Sequence, residues 1–320
     1  MFDILGIGEL LIDFTPAGVR KNPVFEMNPG GSAANCMAAC AALGANVEFA
    51  GAVGEDSFGD FLEKSLVKAG IGTRALVKRK NEHSTLAFVT LDENAVPRYT
   101  FIKEKDSPII KQGEICGQII DDAKIVSFSL VAFSSEESHE SVRAAVMRAK
   151  NSGKKIGFDA NYRERQWDGE EKYCGCPCWN NRQNAVKYMQ EGARLADIVK
   201  ASELEAELIT GIADPMRAAE AMGSGTDKLV CVTEGEKGIW YYSCGELKHV
   251  DAFKVNAVDT TGCGDSFMGA MLYQEAREAE KSAEDKVRFA AAAAAVCASG
   301  FGGIPSMPSK EDVLRMLSKI

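Results

Sequence analysis

The chain has 320 residues, of which 46% are hydrophobic and 26% are charged, and these are ordinary values for a globular protein in water. Its formal net charge of −9 and its scattered basic residues exclude nucleic acid as the main partner, because a phosphate backbone selects a concentrated positive surface. No apolar stretch approaches the roughly 20 residues of a membrane span, and Asp3 stands where a signal peptide would carry positive charge. Ten cysteines in such a chain indicate reduced thiols, so we expect a cytoplasmic protein.

Strands and helices alternate in the first part of the chain. Apolar runs predict buried strands at residues 4–8 and 47–53. Alanine-rich and amphipathic patterns predict helices at residues 33–43 and 57–69, each followed by a glycine. This alternation predicts a parallel sheet with crossover helices.

The pattern changes between residues 85 and 101, which read TLAFVTLDENAVPRYTF. Two alternating strands joined by the polar turn at residues 92–94 predict a hairpin. A single hairpin within an α/β sequence is typical of an edge feature or of a flap over a binding site.

The α/β pattern returns after residue 123. A helix is predicted at residues 138–150, and strands are predicted at residues 125–128, 155–158, 198–199, 229–233 and 239–242. Two helices, at residues 265–279 and 285–299, are expected to close the chain before a loop with the sequence GFGGIPSMP. Without an internal repeat or a Pro- or Ser-rich linker, we expect one domain with a small β flap.

The segment at residues 256–269, NAVDTTGCGDSFMG, combines glycines with the start of a helix. Gly262, Cys263 and Gly264 allow a tight turn that exposes backbone N–H groups, and the helix start adds unpaired N–H groups. Such a turn binds an anion, and Asp265 in the first helical turn is placed to take a proton from a hydroxyl that attacks it. The spacing alone leaves open an ordinary turn with a first-turn acid.

Two segments resemble the signatures of the ribokinase-like (PfkB) carbohydrate kinases. DTTGCGDSF is similar to the DTxGAGD signature, with Cys263 in place of the usual alanine. Residues 29–61, PGGSAANCMAACAALGANVEFAGAVGEDSFGDF, resemble the N-terminal motif that contacts the sugar. The resemblance implies a three-layer α/β/α sandwich with a mostly parallel central sheet. It also implies one domain over residues 1–320, with a small β lid from about residues 12–27 and 84–105.

The resemblance implies roles for residues around a sugar site. Asp265 is the expected catalytic base, next to an anion hole formed by Gly262, Cys263 and Gly264. The expected sugar-binding residues are Asp13, Gly30, Gly31, Asn35, Asn161 and Arg163. The reaction implied is a direct in-line transfer from ATP to a sugar hydroxyl, without a phosphoenzyme.

The resemblance also implies nucleotide and metal sites. SELEAELITG is similar to the acidic helix near magnesium, where the expected residues are Lys200, Ser202 and Glu205. VTEGEKGIW is similar to the nucleotide-binding strand and turn, with Thr233, Gly235 and Gly238. The expected cofactors are ATP, Mg²⁺ and K⁺. The positions that match the potassium site are Asp259, Thr261, Cys297, Gly300, Gly302 and Ser306.

Three segments resemble the fructokinase branch, so fructose phosphorylated at O6 is the first expectation. The segments are GELLIDFTP, the hairpin and FDANYRERQW. The last contains Asp159, Asn161 and Arg163 in a D-x-N-x-R pattern that 2-keto-3-deoxygluconate kinases share, which keeps that acidic sugar as the alternative. An alternative of another class is a sugar- or nucleotide-sensing protein that has lost catalysis. A homodimer through the lid also follows from the resemblance.

The cysteines Cys174, Cys176 and Cys178 do not predict a metal cluster. A structural zinc site has four ligands, and no fourth Cys or His lies nearby in the sequence. The chain also lacks the G-x-x-x-x-G-K-[ST] pattern, which excludes the P-loop as its phosphate-binding architecture.

Overall fold

Nine strands form the main sheet of the computed structural model, which describes residues 1–16, 24–91, 97–103, 107–167 and 179–318. They are β1 (Phe2–Ile7), β4 (Val47–Gly54), β5 (Ile71–Arg79), β8 (Ala123–Ser129), β9 (Lys155–Asp159), β10 (Ile198–Ser202), β11 (Leu229–Thr233), β12 (Ile239–Ser243) and β13 (Glu246–Val250). Their order is β13-β12-β11-β10-β9-β8-β1-β4-β5. The seven strands from β11 to β5 run parallel, and β12 and β13 are antiparallel at one edge.

Helices cover both faces of this sheet, because its central strands are apolar on both sides. One face is covered by α1 (Ser32–Ala42), α2 (Ser57–Lys68), α9 (Cys263–Arg277) and α10 (Ala283–Ala298). The other is covered by α4 (Glu136–Asn151), α6 (Arg182–Leu195), α7 (Glu203–Thr210) and α8 (Pro215–Gly223). The remaining helices are α3 (Gly117–Asp121), α5 (Glu164–Trp167) and α11 (Lys310–Leu317). The three-layer α/β/α sandwich is confirmed.

A second sheet of four strands lies beside the carboxyl ends of the main strands. It consists of β2 (Leu11–Pro16), β3 (Phe25–Gly30), β6 (Leu86–Leu91) and β7 (Pro97–Ile102), in the order β3-β2-β6-β7. The β6–β7 hairpin is antiparallel, as predicted, whereas β2 and β6 pair in parallel. These strands come from the two segments expected to form the lid, and we call them the lid sheet. The turn predicted at residues 92–94 lies outside the described residues.

Polar clamps fix both ends of the hairpin. Before β6, the backbone N–H and the hydroxyl of Ser84 donate to the two carboxylate oxygens of Asp56, at 2.9 and 2.8 Å. Asp56 also caps α2 by accepting from the Gly59 N–H at 2.7 Å. This clamp therefore joins the start of the hairpin to α2.

The second clamp lies after β7 and is built on Arg79. The Arg79 guanidinium binds Glu114 through two nitrogens, at 2.7 and 2.8 Å, and contacts Glu82 at 3.2 Å. It also donates to the Ser107 hydroxyl at 3.1 Å and to the Pro108 carbonyl at 2.7 Å. The segment that follows the lid sheet is therefore attached to the end of β5.

The expectation that two helices close the chain was wrong, because α11 follows them. Ser309 and Asp312 form a capping box at its start, and Val313 packs against the core. The strands β5 and β13 and the helices α6 and α8 were also not predicted. Among the helices that the structure describes, none is both long enough and apolar enough to cross a membrane.

Candidate active site

A cavity of about 610 Å³ lies between the lid sheet and the carboxyl ends of β1, β9 and β10. This volume is typical of a site for a small molecule. The residues that line it are Glu9, Leu11, Asp13, Gly31, Ser32, Asn35, Phe101, Asn161, Tyr162, Arg163, Glu164, Gln166, Lys200, Glu205, Thr260, Thr261, Gly262, Gly264 and Asp265. The structure thus brings together residues from the first, middle and last parts of the chain that the sequence motifs had singled out.

Asp265 lies at the floor of this cavity and is only 5% exposed. The side-chain amides of Asn35 and Asn161 donate to its two carboxylate oxygens, at 2.9 and 3.2 Å. Burial raises the pKa of Asp265, against the opposing effects of the Arg163 charge and of the Asn35 hydrogen bond. A buried carboxylate of raised pKa that faces a cavity is suited to accept a proton from a bound hydroxyl.

The turn before Asp265 has the geometry of an anion site. Gly262 has a φ of 81°, which a glycine adopts without strain, and it precedes α9 without a side-chain cap. A Cβ atom on Gly264 would lie 3.0 Å from the Lys200 Nζ, so the glycine lets a buried ammonium approach the helix start. Of the predicted anion-hole residues, Cys263 does not line the cavity, and its N–H donates to the Thr260 carbonyl at 3.2 Å. At the helix start, the backbone N–H groups that remain to bind an anion are therefore those of Gly264 and Asp265.

Asp13 and the two glycines of the N-terminal motif lie on the lid side of the cavity. A Cβ atom on Gly30 would lie 2.1 Å from the Asp13 Oδ2, so a larger residue there would displace the Asp13 carboxylate. Gly31 has a φ of 110°, and a Cβ atom there would lie 2.5 Å from the Glu9 carbonyl oxygen. Burial raises the pKa of Asp13 to about 6, although the Arg163 charge opposes this. These glycines therefore hold two acidic residues close to the start of α1.

Glu9 is a cavity residue that the sequence analysis did not identify. It lies two residues after the end of β1. Burial raises its pKa to about 7, and the charges of Lys103 and Arg163 oppose this. Its position in the sequence could have indicated this role, because an acidic residue just after a buried parallel strand lies at the carboxyl edge of the sheet.

Buried ionic and capping contacts join β9, β10 and α7 beneath the cavity. The Lys200 Nζ lies 3.0 Å from the Asp159 Oδ1, and both side chains are buried. Although burial opposes its charge, the carboxylates of Asp159 and Glu205 raise the pKa of Lys200, so it carries its positive charge here. Ser202, predicted near the nucleotide, caps α7 in a capping box with Glu205.

The residues predicted from the nucleotide-binding strand lie next to this cavity and do not line it. Thr233 is the last residue of β11, directly beside Ser202 of β10. Gly235 and Gly238 follow in a turn, with φ values of 59° and 108°. Because they lie beside Lys200 and Ser202, a nucleotide bound next to the cavity could contact them.

The residues predicted to hold a monovalent cation form one cluster next to α9. The two carboxylate oxygens of Asp259 accept from the N–H groups of Thr261 and Gly302, each at 2.9 Å. The Cys297 Sγ lies 3.2 Å from the Ser306 hydroxyl, which donates to the carbonyls of Gly302 and Gly303. The Gly300 N–H donates to the Cys297 carbonyl at 3.0 Å. Carboxylate, hydroxyl and carbonyl oxygens are the donors that a hard monovalent cation takes, so the cluster fits K⁺.

Glu205, the residue predicted to be linked to magnesium, has a carboxylate held by the backbone. Its Oε1 accepts from the Tyr162 N–H and its Oε2 from the Ser202 N–H, both at 2.7 Å. Each oxygen keeps a second lone pair, and Glu205 lines the cavity. Both features fit a link to Mg²⁺ through a water molecule. Within the described part of the chain, no three His, Cys, Asp or Glu side chains are grouped to hold a metal. Cys174, Cys176 and Cys178 lie outside it.

The comparisons with known proteins agree with this geometry. The family model described as pfkB family carbohydrate kinase matches residues 1–310. Fructokinase-1 of Oryza sativa subsp. japonica is 32% identical over 326 residues, covering 98% of this chain and 97% of that relative. Fructokinase-1 of Zea mays is 32% identical over 328 residues, covering 99% and 98%. The crystal structure of a fructokinase with bound ATP from Xylella fastidiosa has a TM-score of 0.85 and 28% identity, covering 99% and 98% of the two chains.

A buried carboxylate beside N–H groups that can bind an anion is suited to the transfer of a phosphoryl group to a hydroxyl. The chain belongs to the pfkB family of carbohydrate kinases, and it is a sugar kinase. Asp265 and the glycines around it, whose loss would have marked a catalytically silent sensor, are all present at the cavity.

Proposed function

We propose that this sugar kinase is a fructokinase, which transfers the γ-phosphoryl group of ATP to O6 of fructose. The observation that carries the proposal is the position of Asp265, whose buried carboxylate faces a cavity with an anion site on one side and Asp13 on the other. The fructokinase names of the curated relatives support the choice of sugar.

The reaction follows from the side chains that face the cavity. Asp13 and the carbonyl oxygens of Asn35 and Asn161 accept hydrogen bonds from the sugar hydroxyls. The Asp265 carboxylate takes the proton of the O6 hydroxyl as a bond forms from O6 to the γ-phosphorus. The bond to the β,γ-bridging oxygen breaks, and ADP leaves with that oxygen. The N–H groups of Gly264 and Asp265, with the Lys200 ammonium beneath them, stabilise the charge on the transferred group.

Three further features belong to this proposal. Thr233, Gly235 and Gly238 contact the nucleotide, and Glu205 is the residue linked to Mg²⁺, which neutralises phosphate charge when bound. The cluster around Asp259 holds K⁺ and so supports the turn at Gly262. The lid sheet covers the sugar and excludes water from the reaction, which limits hydrolysis of ATP.

One observation favours 2-keto-3-deoxygluconate as an alternative substrate. Arg163 lines the cavity and could bind the carboxylate of that sugar in a bidentate fork. Among the lining residues that the structure describes, the acidic ones outnumber the basic ones, and Lys200 is already paired with Asp159. The acidic ones are Glu9, Asp13, Glu164, Glu205 and Asp265, and the basic ones are Arg163 and Lys200. The charge of the cavity therefore favours the neutral sugar.

The experiment is an assay of ADP release with Mg-ATP and K⁺ across fructose, 2-keto-3-deoxygluconate, ribose and adenosine. Turnover with fructose that Asp265→Asn abolishes and that Asp227→Asn, on the exposed surface, leaves intact would support the proposal. Turnover with the acidic sugar alone, lost in Arg163→Ala, would overturn the choice of substrate. Equal rates in K⁺ and in tetramethylammonium would contradict the role of the cation cluster.

The setting of the enzyme is part of the same proposal. The thiols that the structure describes are all free, which fits a reducing cytoplasm. We expect a homodimer through the lid sheet, as the family resemblance implies.

A further inference from the structure

We propose that Asn161 is a positioning residue that aims the Asp265 carboxylate at the hydroxyl to be phosphorylated. The inference rests on the proposed function, in which Asp265 is the base. Asn35 and Asn161 each donate one amide hydrogen bond to a different oxygen of Asp265, at 2.9 and 3.2 Å. Two donors on opposite oxygens fix both the position of the carboxylate and its rotation about the Cβ–Cγ bond.

The backbone at Asn161 is held in an unusual conformation. Its φ is +36°, and among the described residues only Asn81 and Cys244 are other non-glycine residues with a positive φ. Such a conformation persists only where the surroundings enforce it, and it is concentrated at functional sites. Both sides of the residue are held, because the Asn161 N–H donates to Asp159 at 3.1 Å and the Tyr162 N–H donates to Glu205 at 2.7 Å. Asp159 and Glu205 thus turn the Asn161 side chain towards α9.

The other end of the Asn161 amide is its carbonyl oxygen, Oδ1. Asn161 is 7% exposed, lines the cavity, and its Oδ1 accepts no hydrogen bond from the residues that the structure describes. A buried acceptor without a partner is costly, so this carbonyl is suited to accept from a sugar hydroxyl when the substrate binds. Asn35 has the same arrangement, with its Oδ1 also unpartnered. With the sugar bound, one planar amide would contact both the base and the substrate and so fix their relative orientation.

A positioning role and a role in sugar binding alone predict different kinetics. If Asn161 only bound the sugar, its removal would raise KM for the sugar and leave kcat unchanged at saturation. If it aims the base, removal lowers kcat, because a misplaced base reacts slowly even when the site is full.

The test compares Asn161→Gly with the wild-type enzyme, using the sugar that supports turnover in the ADP-release assay. Glycine keeps the positive φ without strain and removes the short side chain with its amide, so the protein should fold with little change in melting temperature. We expect kcat to fall by about 10- to 100-fold, with KM for ATP unchanged. Asn161→Asp should be more severely impaired, because it places a second carboxylate against Asp265 in the same backbone conformation.

Asn81→Gly is the matched control, since Asn81 has a φ of +60° and lies outside the cavity lining. We expect it to leave kcat unchanged. An unchanged kcat in Asn161→Gly with only a raised KM for the sugar would overturn the inference. So would Asn161→Asp with wild-type kcat, which also decides the matter if the glycine variant does not fold. Asp265→Asn separates the two proposals, because activity in that variant would overturn the role of the base itself.

Discussion

The acidic side chains of the cavity differ from ordinary surface carboxylates because the fold removes them from water. Burial is the main cause that raises the pKa of Asp265, of Asp13 to about 6, and of Glu9 to about 7. Arg163 opposes the effect at all three. The charge of this one side chain therefore affects both the sugar-binding groups and the base.

A pH dependence of activity follows. Asp265 has to be ionised to take a proton from the sugar hydroxyl. Asp13 has to be ionised to act purely as a hydrogen-bond acceptor for the sugar hydroxyls. Protonation of either residue therefore lowers kcat/KM for the sugar. We expect the acid limb of the pH profile near pH 6, well above the ordinary aspartate value of 3.8. A profile that stays flat from about pH 8 down to about pH 4.5 would contradict this.

A pH dependence of stability follows from the same burial of Asp13. The folded protein holds the Asp13 proton more tightly than the unfolded chain, so its ionisation reduces stability as pH rises from 3.8 to about 6. Asp13→Asn removes that cost, which is at most about 3 kcal/mol. The ligand-free variant should therefore resist urea better than the wild type at pH 8 and equally at pH 4. A variant less stable at pH 8 would show that Asp13 makes stabilising contacts instead.

Sequence motifs located the base and most of the cavity residues, but not how they hold one another. Asp265 is 230 residues from Asn35 and 104 residues from Asn161, and no local pattern reports such a contact. The motif also could not show that the Cys263 N–H is engaged by Thr260, because that depends on the conformation of one turn. Glu9 was missed because the resemblance of the segment GELLIDFTP, in which it lies, assigned a role to Asp13 alone.

At the level of elements, the clamps decide how firmly the hairpin β6–β7 is attached. Asp56 caps α2 and also binds the backbone and hydroxyl of Ser84, just before β6. Asp214 caps α8 in a similar way, by accepting from the Arg217 N–H at 2.9 Å, but it lies far from the lid sheet in the sequence. The two residues form a natural pair for comparison.

We expect Asp56→Ala to destabilise the protein by about 2–4 kcal/mol, because it removes a cap and leaves buried groups of Ser84 without partners. Asp214→Ala should cost only about 1 kcal/mol, the usual value of a cap. Urea unfolding gives both values, and steady-state kinetics should show a raised KM for the sugar in Asp56→Ala alone. Equal effects of the two substitutions would mean that the clamp does not control the lid sheet.

The regular elements were predicted where the sequence carries a strong period. The buried strands and the helices α1, α2, α4, α9 and α10 were found, and the start of α4 moved to Glu136 because Ser135 caps it. The helices α6 and α8 were missed although Asn181 and Asp214 cap them. The edge strands β5 and β13 were missed because they mix polar and apolar residues, as strands with an exposed face do. For α11 a capping box was present in the sequence, and it was overlooked.

At the level of the whole molecule, one face of the lid sheet remains partly uncovered. Ile102 is 55% exposed and Met27 is 37% exposed. Ile102 pairs with Leu86 and Met27 pairs with Phe14 on the neighbouring strands, so these side chains share one face of the sheet. Asp13 lies on the opposite face, which lines the cavity. An exposed apolar patch of this kind fits a contact with a second copy of the chain.

We expect light scattering after size exclusion to give twice the chain mass of 34.4 kDa. Ile102→Glu should shift the protein to the monomer, because it places a charge in the apolar contact. Leu314→Glu on α11 is the control, since Leu314 is 48% exposed and outside the lid sheet. A monomeric wild-type protein at micromolar concentration would contradict the proposed dimer.

The central position of β1 has a consequence for synthesis of the chain. Its six residues lie between β4 and β8, so β1 leaves the ribosome with one edge that stays unpaired until residues 123–129 have been made. At a synthesis rate of about 5–20 residues per second, this edge is open for about 6–25 s. Asp265 and α9, which pack against α1, follow later still. Nascent chains of this enzyme should therefore depend on chaperones that shield a strand edge, and slowing translation should increase that dependence.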